Sequence, residues 1–168
     1  GEELLDLIAA ARRRKVRIRV TVVGGFAPID RKYLKVRLAA ARSQEQDGTE
    51  WIRVLEPTDR DSVNRLYDSS DWLIHYTRVD GSPRAVLEAL SRGLPVIASQ
   101  HPGIQVLDPE CDFIRFLRCW NAESVLDALL EARKEPGSYS SRVQRGAAAV
   151  RGRFCSDVIS EKHIALYR

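Results

Sequence analysis

The chain has 168 residues, of which 44% are hydrophobic and 30% are charged, and this composition is typical of a soluble globular protein with one domain of ordinary size. No apolar run approaches the roughly 20 residues that a membrane span needs, and no secretion signal is recognisable at the N-terminus, so we expect a cytoplasmic protein. The 3 cysteines are scattered and form no CxxC pair, which argues against disulfides and a structural zinc site and predicts buried free thiols.

The net charge of +4 raises the question of an anionic partner. The only dense basic run of the sequence is RRRKVRIR, residues 12–19, at the end of a predicted helix, where cations complement the helix dipole. No aromatic residues interleave with it, as a stacking platform for bases needs, so a nucleic-acid partner is not expected. A solvated helix end is the first interpretation of this run, and peripheral association with an anionic membrane surface is the second.

Helical and extended patterns alternate along the chain. Leu4, Leu5, Ile8 and Ala11 recur at helical spacing and predict a first helix. Apolar, β-branched runs bounded by turn residues predict strands at 16–23, 51–55, 71–76 and 95–99. Further helices are predicted at 30–42 and 61–70, from the turn at residue 81 to about residue 92, from an N-cap at Asn121 to residue 134, at 140–153 and at 157–167.

This order of elements is typical of right-handed βαβ units. We therefore predict a single α/β domain over residues 1–168, with a mainly parallel sheet that carries helices on both faces. Ligands of such sheets bind at the carboxyl ends of the strands, so the loops that follow residues 23, 55, 76 and 99 are the candidate sites.

The loop TRVDGSP, residues 77–83, has the composition of an anion-binding turn. Gly81 allows the backbone to come close to a ligand, and Pro83 suits the first turn of a helix. The backbone N–H groups of Ser82, Arg84 and Ala85 are then predicted to face a phosphate or another anion at the positive end of the helix dipole.

Two carboxylates flank this turn. Glu88 is predicted to lie more than a turn into the helix, roughly on the face of Arg84 and Ala85, where it can accept paired hydrogen bonds from a vicinal diol such as ribose. Asp80 can accept hydrogen bonds from a hydroxylated group on the other side of the anion, and the three ligand groups together describe a nucleotide-sugar. The same residues also suit an ordinary helix entry, with Asp80 or Ser82 as a cap and Glu88 in solvent, and their spacing alone leaves both interpretations open.

Other candidate chemistry is weaker. For His75, a buried, hydrogen-bonded residue of a strand is the first interpretation and a catalytic residue the second. For His101, at the ligand-facing end of a strand, a turn residue is the first interpretation and a contact with the donor the second. Ser99 lacks the G-x-S-x-G pattern of a nucleophile elbow. The pair Gly24-Gly25 lacks the third glycine of a dinucleotide fingerprint, and no His, Asp and Glu cluster has metal-ligand spacing, so neither a nicotinamide cofactor nor a metal is expected.

The stretch DSVNRLYDSSDWLIHYTRVDGSPRAVLEALSRGLPVIAS, residues 61–99, resembles the C-terminal domain of family 4 (group 1) retaining glycosyltransferases, which have the two-domain GT-B fold. The similarity continues through HPGIQVL, NAESVLDALLEA and RFCSDVISEKHIALY, and so covers nearly the whole chain. It implies a Rossmann-like domain, the C-terminal half of a GT-B architecture, whose first strand and N-terminal acceptor domain are absent from this sequence.

The resemblance also implies roles for particular residues. The family's pair of glutamates falls on Asp80 and Glu88, which implies that Asp80 contacts the donor sugar and that Glu88 binds ribose in the catalytic centre. The backbone from Gly81 to Arg84 is implied to hold sugar hydroxyls and diphosphate, and Gly24-Gly25 matches the family's glycine loop. The departures from the family pattern are Asp80 for Glu, Ser82 for an aromatic or aliphatic residue, and Arg84 for a small or amide residue.

The resemblance implies donor binding in a metal-independent transfer, with retained stereochemistry, of a sugar from a nucleoside diphosphate sugar to an acceptor. The nucleotide-sugar is a co-substrate, and no cofactor is expected. The isolated chain is expected to be inactive because the acceptor domain is missing. Two alternatives remain: a binding or scaffolding domain that has lost transfer activity, and a sugar-nucleotide epimerase of related fold.

Overall fold

The structure, a computed structural model, describes residues 2–24, 51–77, 83–134 and 136–155. Strands and helices alternate along these ranges as the sequence predicts. In chain order the elements are α1 (Glu2–Arg13), β1 (Val20–Val23), β2 (Ile52–Leu55), α2 (Arg60–Asp68), β3 (Leu73–His75), α3 (Arg84–Ser91), β4 (Val96–Ser99), α4 (Pro102–Gln105), β5 (Ile114–Leu117), α5 (Ala122–Lys134) and α6 (Pro136–Phe154).

The chain divides into two compact units, of which the first comprises residues 1–65 and 121–127. Its sheet is the parallel pair β1–β2, in a register that runs from Val20 opposite Ile52 to Val23 opposite Leu55. Helix α1 buries its apolar side chains because they recur at helical spacing on one face. The buried side chains of α1 are Leu7, Ile8, Ala10 and Ala11.

The second unit comprises residues 66–120 and 128–168. Its sheet has three parallel strands in the order β3-β4-β5. All four residues of the central strand β4 are buried, which explains its continuous apolar and β-branched composition. The core of this unit is formed by Val86, Ala89, Leu90, Leu94, Val96, Ala98, Ile104, Leu107, Ile114 and Val150.

Two close contacts fix the surroundings of β5. The buried carboxylate of Asp108 accepts hydrogen bonds from the backbone N–H groups of Asp112, Phe113 and Ile114, at 2.9, 2.8 and 2.6 Å, and so holds the turn that leads into the strand. Helix α6 approaches the Phe113 ring at Gly146, where a β-carbon would lie 2.9 Å from the ring atom Cδ2. Only glycine allows this approach.

All four predicted strands are present, and every strand pair among the described residues is parallel, so the predicted α/β fold class is confirmed. Strand β1 starts at Val20 instead of residue 16, and its pairing with β2 among the described residues runs from Val20 to Val23. The first and fifth predicted helices are confirmed, and the N-cap at Asn121 is confirmed by the hydrogen bond from the Ser124 N–H to its side-chain oxygen. The predicted helices at 30–42 and 157–167 lie outside the described residues.

Further features differ from the sequence predictions, and one of them is the short helix α4, which was not predicted. Strand β5 was not predicted, and α6 begins at Pro136 instead of residue 140, with proline at its start as is common for helices. The side chains of Cys111, Cys119 and Cys155 are exposed, so the prediction of buried thiols is wrong. Cys111 and Cys119 lie in the irregular segments on either side of β5, and Cys155 follows the end of α6.

None of the helices within residues 2–24, 51–77, 83–134 and 136–155 is long and apolar enough to cross a bilayer.

Candidate functional site

The first part of the candidate site is the N-terminus of α3. The N-cap is Pro83, with φ −75° and ψ 65°, and no side chain of the described residues caps the helix. Pro83 therefore stands one position before the first helical residue. The sequence pattern had predicted Pro83 inside the first turn of the helix. The N–H groups of Val86 and Leu87 donate to the Pro83 carbonyl oxygen. Those of Arg84 and Ala85, the first two helical residues, have no acceptor within the helix and lie at its positive end, where an anion is stabilised.

Glu88 lies one turn further along α3, four residues after Arg84 and therefore on the same side of the helix. Its side chain is half-buried, and its Oε2 atom accepts a hydrogen bond of 3.4 Å from the Tyr67 hydroxyl. Tyr67 lies near the end of α2 and packs against the core. A carboxylate has about four acceptor positions, so a bond from Tyr67 is compatible with paired bonds from a vicinal diol.

The loop that leads to α3 is held at its first residue. The buried hydroxyl of Ser99, at the end of β4, donates to the Thr77 carbonyl oxygen at 2.9 Å and accepts from the Thr77 N–H at 3.1 Å. The backbone that leaves β3 is therefore tied to the neighbouring strand. Ser99, which lacks the sequence pattern of a nucleophile elbow, therefore positions the backbone of this loop.

The predicted site residues fall into three groups. The second unit contains Pro83, Arg84, Ala85 and Glu88 at the start of α3, with Arg84 exposed and Ala85 half-buried. The first unit contains Gly24 after β1, whose φ of +149° favours glycine and where an added β-carbon would meet no described atom within 4 Å. Residues Asp80, Gly81, Ser82 and Gly25 lie outside the described residues.

The two histidines named in the sequence analysis have structural positions. His75 is the last residue of β3 and is half-buried. His101 is the N-cap of α4, and its Nδ1 atom accepts a 3.1 Å hydrogen bond from the Gly103 N–H. His101 was predicted to be a turn residue, and in the structure it is the extended residue that precedes α4.

The basic run at residues 12–19 is partly neutralised within the first unit. Arg13 pairs with Glu123 at 2.8 Å, and Arg14 pairs with Asp127 at 2.5 Å; the hydrogen bond from Arg14 to Asp127 raises the pKa of Arg14. The Arg12 guanidinium lies over the Trp51 ring, 5.3 Å from its centroid. These contacts support the interpretation as a solvated helix end.

Sequence reasoning missed Tyr67 as a site residue. Tyr67 and Glu88 are 21 residues apart, and their contact joins two helices, α2 and α3. The run SVNRLYD shows only that Tyr67 belongs to an amphipathic helix, and no short-range pattern indicates which side chain it meets.

A family model described as glycosyl transferases group 1 matches residues 2–132, well over half of the chain. The chain belongs to this family. A comparison with curated protein sequences found no match.

Solved structures share the fold. The HepE protein of Anabaena, in complex with UDP-glucose, is 15% identical with a TM-score of 0.82, over 99% of this chain and 44% of that one. Sucrose-phosphate synthase of Thermosynechococcus elongatus is 18% identical with a TM-score of 0.75, over 99% and 42%. The C-terminal domain of the group 1 glycosyltransferase LpcC of Francisella tularensis is 15% identical with a TM-score of 0.74, over 91% and 77%.

These identities are low, so the likeness shows the fold alone: the Rossmann-like α/β fold of GT-B glycosyltransferases. This agrees with the fold that the sequence resemblance implies. The chain spans less than half the length of the HepE and sucrose-phosphate synthase chains.

Proposed function

We propose that this chain is the donor-binding domain of a retaining glycosyltransferase that moves a sugar from a nucleoside diphosphate sugar to an acceptor. The observation that carries the proposal is the start of α3, which no side chain of the described residues caps, with the Glu88 carboxylate one turn further on. A ribose diphosphate presents an anion and a vicinal diol, which are the groups that these two features bind. Membership of the group 1 family and the UDP and UDP-glucose complexes of HepE support the same conclusion.

Arg84 strengthens the case for an anion. It is exposed at the first position of α3, and the first turn of that helix contains no acidic residue. A cation at a helix N-terminus opposes the helix dipole and is unfavourable by itself. A bound diphosphate reverses this balance, because it is attracted both by the guanidinium and by the N–H groups at the helix start.

The proposed roles follow from these positions. Glu88 accepts hydrogen bonds from the ribose hydroxyls, and the N–H groups of Arg84 and Ala85 stabilise the diphosphate as negative charge develops on it. Asp80 is proposed to contact the donor sugar, and the backbone of Gly81 and Ser82 to bind sugar hydroxyls and diphosphate. The bond between the sugar and the diphosphate breaks, a bond to an acceptor hydroxyl oxygen forms on the same face, and the proton of that hydroxyl passes to the departing diphosphate. The proposal needs no metal and no cofactor.

In this proposal, most of the acceptor side of the cleft belongs to a domain outside residues 1–168, together with the first strand of the donor domain. Transfer requires donor and acceptor at near-attack distance, so this chain is expected to bind nucleotide without measurable transfer. Robust turnover by the 168-residue chain would contradict the proposal.

We also propose a cytoplasmic location, with Lys15, Arg17 and Arg19 at the basic run available to an anionic membrane surface.

Calorimetric titration with UDP, GDP and ADP, and with the corresponding sugar conjugates, tests the donor site. Glu88→Ala should weaken binding of the preferred diphosphate by roughly 1.5–3 kcal/mol, because it removes hydrogen bonds to a charged group. Asp80→Ala should weaken only the complete nucleotide-sugar. Glu110→Ala, which removes an exposed carboxylate from the turn before β5, is the matched control and should change neither affinity.

Two outcomes contradict the assignment: an unchanged affinity in Glu88→Ala, or equal losses for diphosphate and nucleotide-sugar in Asp80→Ala. The scaffolding alternative is tested separately with the complete protein. It predicts nucleotide binding without transfer even when the acceptor domain is present.

A further inference from the structure

Two aromatic rings stack at the carboxyl edge of the three-stranded sheet. Tyr76 directly follows β3, and Trp120 lies three residues after the end of β5. Their ring centroids are 4.9 Å apart, and the ring planes are inclined by 23°. Because β4 lies between β3 and β5, the stacked pair spans the end of the central strand. This is the edge at which parallel sheets bind ligands.

Packing in the core of the second unit does not explain the positions of the Tyr76 and Trp120 rings. Tyr76 is 40% exposed, although it is a large aromatic residue, and Trp120 is only partly buried. Neither ring is among the described side chains that form or border the core of the second unit. The hydrogen bonds between Ser99 and Thr77 hold the backbone next to Tyr76, so this ring is attached to a fixed segment.

Polar groups follow β4 between the two aromatic residues. The Gln100 side chain is exposed. The backbone N–H of Gln100 donates to the Leu117 carbonyl oxygen, so Gln100 lies where β4 and β5 end. His101 accepts a hydrogen bond at Nδ1, which places the proton of the neutral imidazole on Nε2 and makes that atom a donor. This edge therefore combines two ring faces with an amide and an imidazole.

We infer that the stacked pair Tyr76–Trp120 binds a pyranose ring of a substrate, with Gln100 and His101 as partners for its hydroxyl groups. A pyranose has a face of C–H groups, which packs against the electron-rich face of an aromatic ring, and a rim of hydroxyls, which needs donors and acceptors. The inference rests on the proposed function, since a sugar reaches this edge only in a protein that handles sugars. The pyranose is either the sugar of the donor or a sugar of the acceptor.

Titrations of the wild type, Trp120→Ala and Trp120→Phe test this inference and distinguish the two sources. Calorimetry measures the Kd for UDP and for UDP-glucose, and saturation-transfer NMR measures contact with methyl β-D-glucopyranoside. A contact with the donor sugar predicts that Trp120→Ala weakens UDP-glucose binding about 5- to 30-fold and leaves UDP binding unchanged, with most of the affinity restored in Trp120→Phe. A contact with an acceptor sugar predicts unchanged UDP-glucose binding and loss of saturation transfer to the glucoside.

The outcomes separate this inference from the proposed function. If the wild type binds no nucleotide, the proposed function fails, and the glucoside experiment still decides on the aromatic pair. If the wild type binds UDP-glucose, and Trp120→Ala has the same Kd for UDP-glucose and the same saturation transfer to the glucoside, the inference is wrong and the proposed function stands. Thermal unfolding establishes that each variant is folded. Tyr76→Ala provides a second variant, which removes the other ring of the pair.

Discussion

The Tyr67 hydroxyl donates a 3.4 Å hydrogen bond to the Glu88 carboxylate and so connects helix α2 to the residue that we assign to ribose binding. Tyr67→Phe removes this bond and keeps the ring that packs against the core. Because Glu88 then loses a group that orients it, we expect the Kd for the bound nucleoside diphosphate to rise about 3- to 10-fold, with little change in the unfolding midpoint. Calorimetry and thermal unfolding measure the two effects.

Tyr139→Phe is the matched control for this variant, because Tyr139 lies in α6 and contacts Trp72. It should leave nucleotide binding unchanged. Equal nucleotide affinities in wild type and Tyr67→Phe would show that Tyr67 does not position Glu88.

Arg84→Ala should have opposite effects on stability and on binding. The substitution removes a cation from the start of α3, where it opposes the helix dipole, so the ligand-free protein should gain about 0.3–1 kcal/mol. It also removes an attraction for diphosphate, so the Kd should rise, and the difference from wild type should shrink with added salt. Denaturant unfolding and titrations at two salt concentrations measure both effects.

Arg133→Ala provides the contrast to Arg84→Ala. Arg133 lies in the last turn of α5, where a cation complements the dipole. Its removal should lower stability slightly and leave nucleotide affinity unchanged. A loss of stability in Arg84→Ala would contradict the interpretation of Arg84 as a residue kept for its ligand.

Two glycines of helix α6 should respond to alanine in opposite directions. A β-carbon at Gly146 would lie 2.9 Å from Cδ2 of Phe113, whereas one at Gly152 would meet no described atom within 4 Å. Gly146→Ala should therefore destabilise the protein by roughly 1–3 kcal/mol through overpacking. Gly152→Ala should stabilise it by roughly 0.5–1 kcal/mol, because alanine is the better helix former. Urea unfolding of both variants decides, and equal shifts would show that α6 does not approach Phe113 this closely.

Asp59 should contribute a defined part of the acid sensitivity. Hydrogen bonds from the Ser62 hydroxyl, and then from its backbone N–H, lower the pKa of Asp59 from 3.8 to about 2. Because the folded-state pKa is depressed, the stabilisation is complete above about pH 4 and is lost as the pH falls towards about 2. Asp59→Asn keeps a capping side chain without a titratable group and should lose this component. Thermal unfolding of both proteins from about pH 6 to about pH 2.5 should show a smaller decline for the variant, and parallel declines would contradict the prediction.

The local features of this protein were determined by its sequence. The β-branched run at β4 and the apolar spacing of α1 predict their elements because a strand and a helix have different side-chain periods. The cap at Asn121 follows from a side-chain acceptor next to N–H groups that lack an acceptor within the helix. The position of Glu88, one turn into a helix, likewise follows from helix geometry, and the family resemblance adds its role.

The tertiary structure alone decided which distant groups meet. The contacts Tyr67–Glu88 and Thr77–Ser99 join residues 21 and 22 positions apart. Gly146 of α6 likewise meets Phe113, which directly precedes β5. Strand β5 was not predicted, and its place beside β4 is established only by the pairing of the two strands; its Arg115 pairs with Glu131 of α5. Such contacts depend on how the chain packs elements that are distant in sequence, and residue periodicity describes a single element only.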